Sequence, residues 1–441
     1  GEAQRLVAGG AIPAQWWELF GSPLISQRIE RALAHSPSVA AAQAALRQAQ
    51  ENARAAAGGY SPSVSAGTSA RRQKSTTAAF GGGDSSFIYN LYGASVDVGY
   101  TLDLFGATRR TVESQQALAE AQQFQLEGTY LTLAANVVTA SVEEAALQTQ
   151  LAATEEIVAA LNEQTRITDK QFELGAVART DVLAARTQLE TTRAALPALR
   201  QQLAEVRNRL AIFLGQLPSE QDAATLDLAA LTLPQEVPVS VPSELTRQRP
   251  DIRAAEARLH QASANVGVAT AKLFPSLSIS GSFGSQAARS GDLFTAASEV
   301  WGISGGLTAP LLRGGELRAR KRAAVAAYDE AFADYRQVVL EAFGDVANSL
   351  HALDNDAQAL QSRHAALQNA DQNLDLVQKS YRAGAVGYLN VLDAQRQQQT
   401  ARIEFIRARA ARFSDTAALF QALGGGWWNR ESSAPKEHAA R

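Results

Sequence analysis

Hydrophobic positions in this chain fall into long runs of heptads and short runs of strict alternation. Leu147, Leu151, Thr154, Val158, Leu161, Thr165, Thr168 and Phe172 follow one another at steps of 4, 3, 4, 3, 4, 3 and 4. Leu353, Leu360, Leu367, Leu374 and Tyr381 recur every seven residues. Heptads sustained over this length require helices packed as left-handed coiled coils. The first helix is expected to start just after Gly106 and to reach Phe172, a length of roughly 100 Å. Gly175 and Gly384 then allow the chain to reverse, because glycine closes a helix in the left-handed conformation. The returning segments keep the spacing, through Leu199, Leu203, Val206, Leu210 and Phe213 and again through Ile403, Ile406, Ala410, Phe413, Ala417 and Phe420. Two long helical hairpins are predicted, with a kink at Pro197 in the first return.

The alternating runs predict strands. Ser276 to Phe283 alternates polar and apolar without a break, and Ser61 to Ala66 repeats the pattern. Tyr92, Ala94, Val96, Val98, Tyr100 and Leu102 share one face of a further strand, with Gly93, Ser95, Asp97, Gly99, Thr101 and Asp103 on the other. Trp301, Ile303, Gly305, Leu307 and Ala309 give the apolar face of a fourth. The strands are expected at about 60–72, 88–103, 274–285 and 299–310, joined in pairs by polar loops at Gln73–Ser86, with Gly81-Gly82-Gly83, and Gln286–Ala297. A strand of about ten residues with one lipid-compatible face is the unit of a transmembrane barrel. Four strands cannot close one, and an open edge has no backbone partners in lipid, so the chain must oligomerise. Two copies give eight strands filled by side chains; three give twelve and a lumen.

The two sets of elements are related by duplication. Ser36-Pro37-Ser38-Val39 matches Arg249-Pro250-Asp251-Ile252, and Tyr60 to Ser65 matches Leu273 to Ser278, both at an offset of 213. Phe172 to Val177 matches Tyr381 to Val386, and Leu214-Gly215 matches Leu423-Gly424, at 209. The organisation read from this is a first repeat at 1–215, a linker at 216–242, a second repeat at 243–426 and a tail at 427–441. Prolines 218, 234, 238 and 242 mark the linker as irregular.

Composition narrows the classes further. A formal net charge of −3 over 441 residues gives no basic footprint for nucleic acid. No apolar run approaches about 18 residues, so membrane crossing would have to use strands. Cysteine is absent, which removes disulfides, thiolate metal sites and thiol nucleophiles. The chain starts at Gly1 without methionine and reads as a processed form, with any secretory leader outside it. The five histidines (35, 260, 351, 364 and 438) have no metal-ligand spacing, and no phosphate loop or nucleophile elbow appears. No enzyme, cofactor or metal site is expected. Trp16, Trp17, Trp427 and Trp428 lie near the two ends and are expected to pack on a belt of shorter elements.

The chain resembles the outer-membrane channels of tripartite multidrug efflux systems, in the resistance-nodulation-division outer-membrane lipoprotein branch of the TolC family. The resemblance runs from Trp16-Trp17-Glu18-Leu19-Phe20 to Leu423-Gly424-Gly425-Gly426-Trp427. It rests on Leu102-Asp103-Leu104-Phe105-Gly106, Gln248-Arg249-Pro250-Asp251-Ile252, Leu273-Phe274-Pro275-Ser276-Leu277 and Tyr388-Leu389-Asn390-Val391-Leu392-Asp393-Ala394-Gln395-Arg396. It implies an α+β membrane protein, a homotrimer whose twelve-stranded barrel continues into a long antiparallel helical coiled-coil barrel reaching into the periplasm. The implied partners are a periplasmic adaptor (membrane fusion protein), an inner-membrane pump and outer-membrane lipid. The implied adaptor-contacting tips are Gly175-Ala176-Val177 and Gly384-Ala385-Val386. Leu389, Asp393 and Arg396 take the place of the periplasmic gate. Branch members begin at a lipid-modified cysteine; fifteen residues precede Trp16 here and none is cysteine, so an anchor was either trimmed or never present.

Alternatives stay open at this point. Asp393 corresponds to Ala184 in the first repeat, so its carboxylate is special to one hairpin. Around a three-fold axis three such carboxylates repel unless protonated, bridged or bound to a cation. The other reading is a solvated helix-surface acid paired with Arg396 or Arg382. A glycine after a helix is also an ordinary C-cap. For the whole molecule, a type I protein-secretion duct and a soluble coiled-coil scaffold remain as alternatives; the scaffold explains the heptads but not the four strands. Amphiphilic drugs, dyes, detergents or plant toxins are the default cargo.

Overall fold

The computed structural model describes residues 4–76, 85–220, 224–239 and 242–430. The Gly81–Gly83 loop, His438 and residues 431–441 of the tail lie outside them. The described chain divides into two compact units, one formed by 1–44, 123–254 and 336–441 and the other by 45–122 and 255–335.

The element order repeats. Helices α1 (Pro23–His35) and α2 (Pro37–Ala57) lead into strands β2 (Ser63–Thr76) and β3 (Ser86–Leu102), then α3 (Ala107–Glu173), α4 (Arg179–Arg193) and α5 (Ala195–Phe213). After the linker, α6 (Pro242–Gln248) and α7 (Pro250–Ala271) lead into β5 (Ser276–Ala287) and β6 (Glu299–Thr308), then α8 (Glu316–Arg382) and α9 (Tyr388–Ala422). Both α3 and α8 have 67 residues. The Asp103 carboxylate sets the start of α3 by accepting from the backbone N–H of Thr108 (2.9 Å) and Arg109 (2.8 Å). The first return is not one kinked helix. It is interrupted at Ala194, three residues before Pro197, because a proline ring clashes with the carbonyl four residues back, here that of Arg193, where α4 ends. The linker is less irregular than its prolines suggested: β4 (Glu236–Val239) pairs in parallel with β1 (Arg5–Ala8).

In the first unit the core is mainly Leu, Val and Ala, and its largest fully buried side chains are the aromatics Trp16, Phe20, Phe413 and Phe420. Trp16 stacks on Phe420 with centroids 5.4 Å apart, and Phe20 lies against Trp16 and Phe413. Arg249, within Gln248-Arg249-Pro250-Asp251, is buried and donates to the carbonyls of Ala422 (3.0 Å) and Ala342 (3.4 Å) and to the carboxylates of Asp251 and Asp345. One guanidinium thereby ties the start of α7 to α8 and to the end of α9. The α3 heptad positions Leu147, Thr154, Leu161, Thr165 and Thr168 are buried; on α8 only Leu353 of its set is, the other four being half-buried.

In the second unit β2, β3, β5 and β6 form one antiparallel sheet in that order, so β2 and β6 are its edges. The register places Val64 beside Val98, Tyr100 beside Ile279, and Phe283 beside Trp301 on one face. Ser63 beside Gly99, Asp97 beside Ser282, and Ser280 beside Ser304 occupy the other. Three strands run further toward the polar loops than the alternation predicted, to Thr76, Ser86 and Ala287. The fourth ends earlier, at Thr308. Among the described residues nothing covers the apolar face: Trp301, Ile303 and Leu307 are 72%, 78% and 69% exposed.

Candidate channel gate and hairpin tips

The tip residues occupy two turns of matching geometry. Gly175 closes α3 at φ +75° and Gly384 closes α8 at φ +74°. In each turn the residue after the glycine donates its N–H five residues back, Ala176 to Gln171 (2.8 Å) and Ala385 to Ser380 (2.9 Å). A side chain at either glycine would strain the left-handed backbone. Gly175, Ala176, Gly384 and Ala385 are exposed, and Val177 and Val386 are half-buried. Leu174, at 84% exposure, adds an apolar side chain to the first tip.

The first turns of α9 present two unlike faces. Tyr388, Val391 and Leu392 are buried and cluster with Ala185 of α4, with Ala184, Val377 and Tyr381 packed against them. The Tyr388 hydroxyl lies by Thr168 and Gln164 of α3, and burial raises its pKa. Tyr381, whose ring is 5.7 Å from that of Tyr388, is raised by burial and by the nearby Asp181 carboxylate. Leu389, Asp393 and Arg396 stand at steps of four and three on the opposite, exposed face. Arg396 donates to Asp393 Oδ1 (2.5 Å) and Gln397 to Oδ2 (2.7 Å), so both carboxylate oxygens are held from within the helix. Arg382 makes no such bond among the described residues, and of the two pairings considered for Asp393 the one with Arg396 is present. Leu389 is 64% exposed beside this polar pair.

Tyr388 and Gln397 carry no heptad or charge signal of their own, although Tyr388 opens the motif that contains Leu389 and Asp393. A second polar cluster also escaped the sequence. Asp356 of α8 lies against Asp415 of α9, near the buried Arg412. Burial first, then the hydrogen bond to Asp415 and its charge, push the Asp356 carboxyl up to about 7. Burial lowers the pKa of Arg412, against the pull of Asp356.

No helix among the described residues is long and apolar enough to cross a membrane. The model of the family described as outer membrane efflux protein matches residues 28–216 and again 241–425. The chain belongs to that family. It is 31% identical over 431 residues to the pyoverdine export outer membrane protein OpmQ of Pseudomonas aeruginosa, covering 96% of this chain and 90% of the relative. Among solved structures it is similar to the outer-membrane channel OprN, with a TM-score of 0.90 and 31% identity over 97% of this chain and 95% of that one. It is also similar to the outer membrane protein VceC of Vibrio cholerae, with a TM-score of 0.87 and 25% identity over 94% and 100%. This member of the outer membrane efflux family is thus an exit duct of the outer membrane, and its family is one of channels, not of catalysts.

Proposed function

We propose that three copies of this chain close a twelve-stranded barrel and a helical conduit, and that the assembly passively conducts small toxic molecules delivered by an inner-membrane pump through a periplasmic adaptor. The observation that carries this reading is the four-stranded sheet. From Gly93 to Thr101 along its second strand it is apolar on one face and mostly small and polar on the other, and among the described residues both edges are unpaired. Such a sheet is stable in lipid only when further copies pair its edges. Export of pyoverdine by the relative OpmQ supports a small-molecule cargo. The duct supplies a path and performs no reaction of its own.

The division into repeats at 1–215 and 243–426, with the linker 216–242 between and the tail 427–441 after, is part of the reading. One family model matching twice, two helices of 67 residues and two tip glycines of equal φ support it. In the assembly the half-buried heptad face of α8 packs on other copies, and Gly175-Ala176-Val177 and Gly384-Ala385-Val386 meet the adaptor. Leu389, Asp393 and Arg396 form the resting gate, an apolar ring beside a ring of carboxylates each held by its own arginine. Opening separates those rings.

Bilayer conductance of the purified protein beside its Asp393→Ala variant tests both levels. Small flickering currents that rise severalfold and steady in the variant are expected. Equal currents from both would take the gate away from Asp393, and oligomers that insert but conduct nothing would sink the duct itself.

A further inference from the structure

Among the described residues the outward face of the sheet carries its charges in the half away from the helices. Along β3 the uninterrupted apolar set runs from Leu102 to Tyr92, with Asn90 next on that face. Those ten steps span roughly 34 Å along the strand. At the strand tilt of about 40° found in barrels they cover about 26 Å of membrane normal, close to the roughly 25 Å apolar band of such proteins. Arg72 is level with Asn90 and Lys74 with Ile88, both on this same face. They therefore stand about 5 and 10 Å beyond the apolar band, at headgroup height. Both are exposed, and neither side chain has a partner among the described residues. Arg71 points to the opposite face.

We infer that Arg72 and Lys74 form a cationic pair on the barrel exterior that binds the phosphates of an acylated glycolipid in the external leaflet. The inference rests on the reading of this sheet as part of an outer-membrane barrel with its helices on the periplasmic side. The apolar face beneath the pair (Val64, Ala66, Val96) would receive acyl chains, and the two cations would meet phosphate above them. Long basic side chains at such a boundary keep their stems on the apolar surface and their charge in the headgroup layer. A guanidinium gives the bidentate fork that suits phosphate, and an ammonium beside it adds a second charge. At the helix-proximal end of the same face no cation answers them: Leu102, Leu277 and Leu307 are apolar. That asymmetry is what a bilayer with phosphorylated lipid concentrated on one side would select.

Among the described residues the one acid on this face is Glu299, level with Ser285 at the head of β6 on the far edge of the sheet. Across a seam between copies it would be the competing partner, which the test must separate. The probes are hexa-acylated lipid A carrying two phosphates and the same lipid with both removed, followed by native mass spectrometry of the detergent-solubilised oligomer. The wild type is expected to retain the phosphorylated lipid on the order of tenfold better, the R72Q/K74Q variant to lose that preference, and the charge-keeping R72K/K74R variant to retain it. No phosphate preference in the wild type, or a preference surviving in R72Q/K74Q, would overturn the inference. Displacement by an equal concentration of phosphatidylglycerol would overturn the assignment to the external leaflet. An R72Q/K74Q oligomer that dissociates at lower temperature yet keeps its lipid preference would assign the pair to Glu299 of a neighbouring copy instead. Conductance of the same wild-type preparation reports on the duct reading separately, whatever lipid it retains.

Discussion

At Tyr388 one side chain holds two helical hairpins together. Its ring packs with Val391, Leu392 and Ala185 and lies beside Tyr381, joining the start of α9 to α4 and α8. Truncating a buried aromatic costs about 3–5 kcal/mol. Tyr388→Ala should therefore lower the melting temperature of the helical body and raise the open fraction in bilayers, while Tyr388→Phe keeps the ring and stays close to wild type. Both substitutions leaving conductance unchanged would separate tip packing from gating. Asp356 makes a prediction in pH. Its folded pKa of about 7 exceeds the value near 3.9 of an unfolded aspartate, so between these the folded chain binds more protons. Its contribution to stability is then fully present below about pH 4 and is lost as pH rises through 7. The melting temperature should fall between pH 5 and pH 8, and the fall should shrink in Asp356→Asn. An equal pH slope in the two proteins would discard this assignment.

At the scale of elements, the two faces of β6 differ enough to be tested by a substitution moved one residue. Ile303→Arg places a charge on the lipid-side face, at a cost of about 2–4 kcal/mol near the membrane midplane. Ser304→Arg places the same charge on the polar face, where Ser304 now meets Ser280 (2.7 Å), and should change folding yield little. Urea unfolding in lipid vesicles measures both, and equal losses would refute the assignment of faces. These strands were legible because a period of two is visible wherever one face is apolar. Their outer ends were not: from Arg71 to Thr76 the chain is polar on both faces, and only pairing with Ser86 to Leu91 extends the strand. The long helices were legible from heptads, and their closing glycines from position. The break at Ala194 was displaced from Pro197 because the ring acts on a carbonyl four residues away, not on its own site. At the tip, the motif located Leu389, Asp393 and Arg396, whereas Tyr388's role and the Asp356–Asp415 pair depend on which residues meet across helices. No periodicity along one chain encodes such meetings.

For the whole molecule the prediction is of copy number, argued from the side chains on the polar face of the sheet. β2 and β6 lie at opposite edges of a sheet whose neighbouring strands are all antiparallel, so β6 of one copy can accept β2 of the next in the same sense. Closure in lipid then needs two or three copies. An eight-stranded barrel is filled by its interior side chains. Nearest the helices the polar face, which a barrel would turn inward, carries Ser63, Gly93, Gly99, Ser278, Ser280, Ser282, Gly302 and Ser304, too small to fill an eight-stranded interior and too polar to line a dry cavity. Twelve strands leave a lumen that water occupies, and serine and glycine suit its wall. Light scattering of the purified protein, corrected for detergent, should therefore give three chain masses. That species should survive denaturing gel electrophoresis unheated and fall to one chain on boiling. Two chain masses would demand an interior that these residues cannot fill, and the assignment of the polar face to a lumen would fall with the trimer.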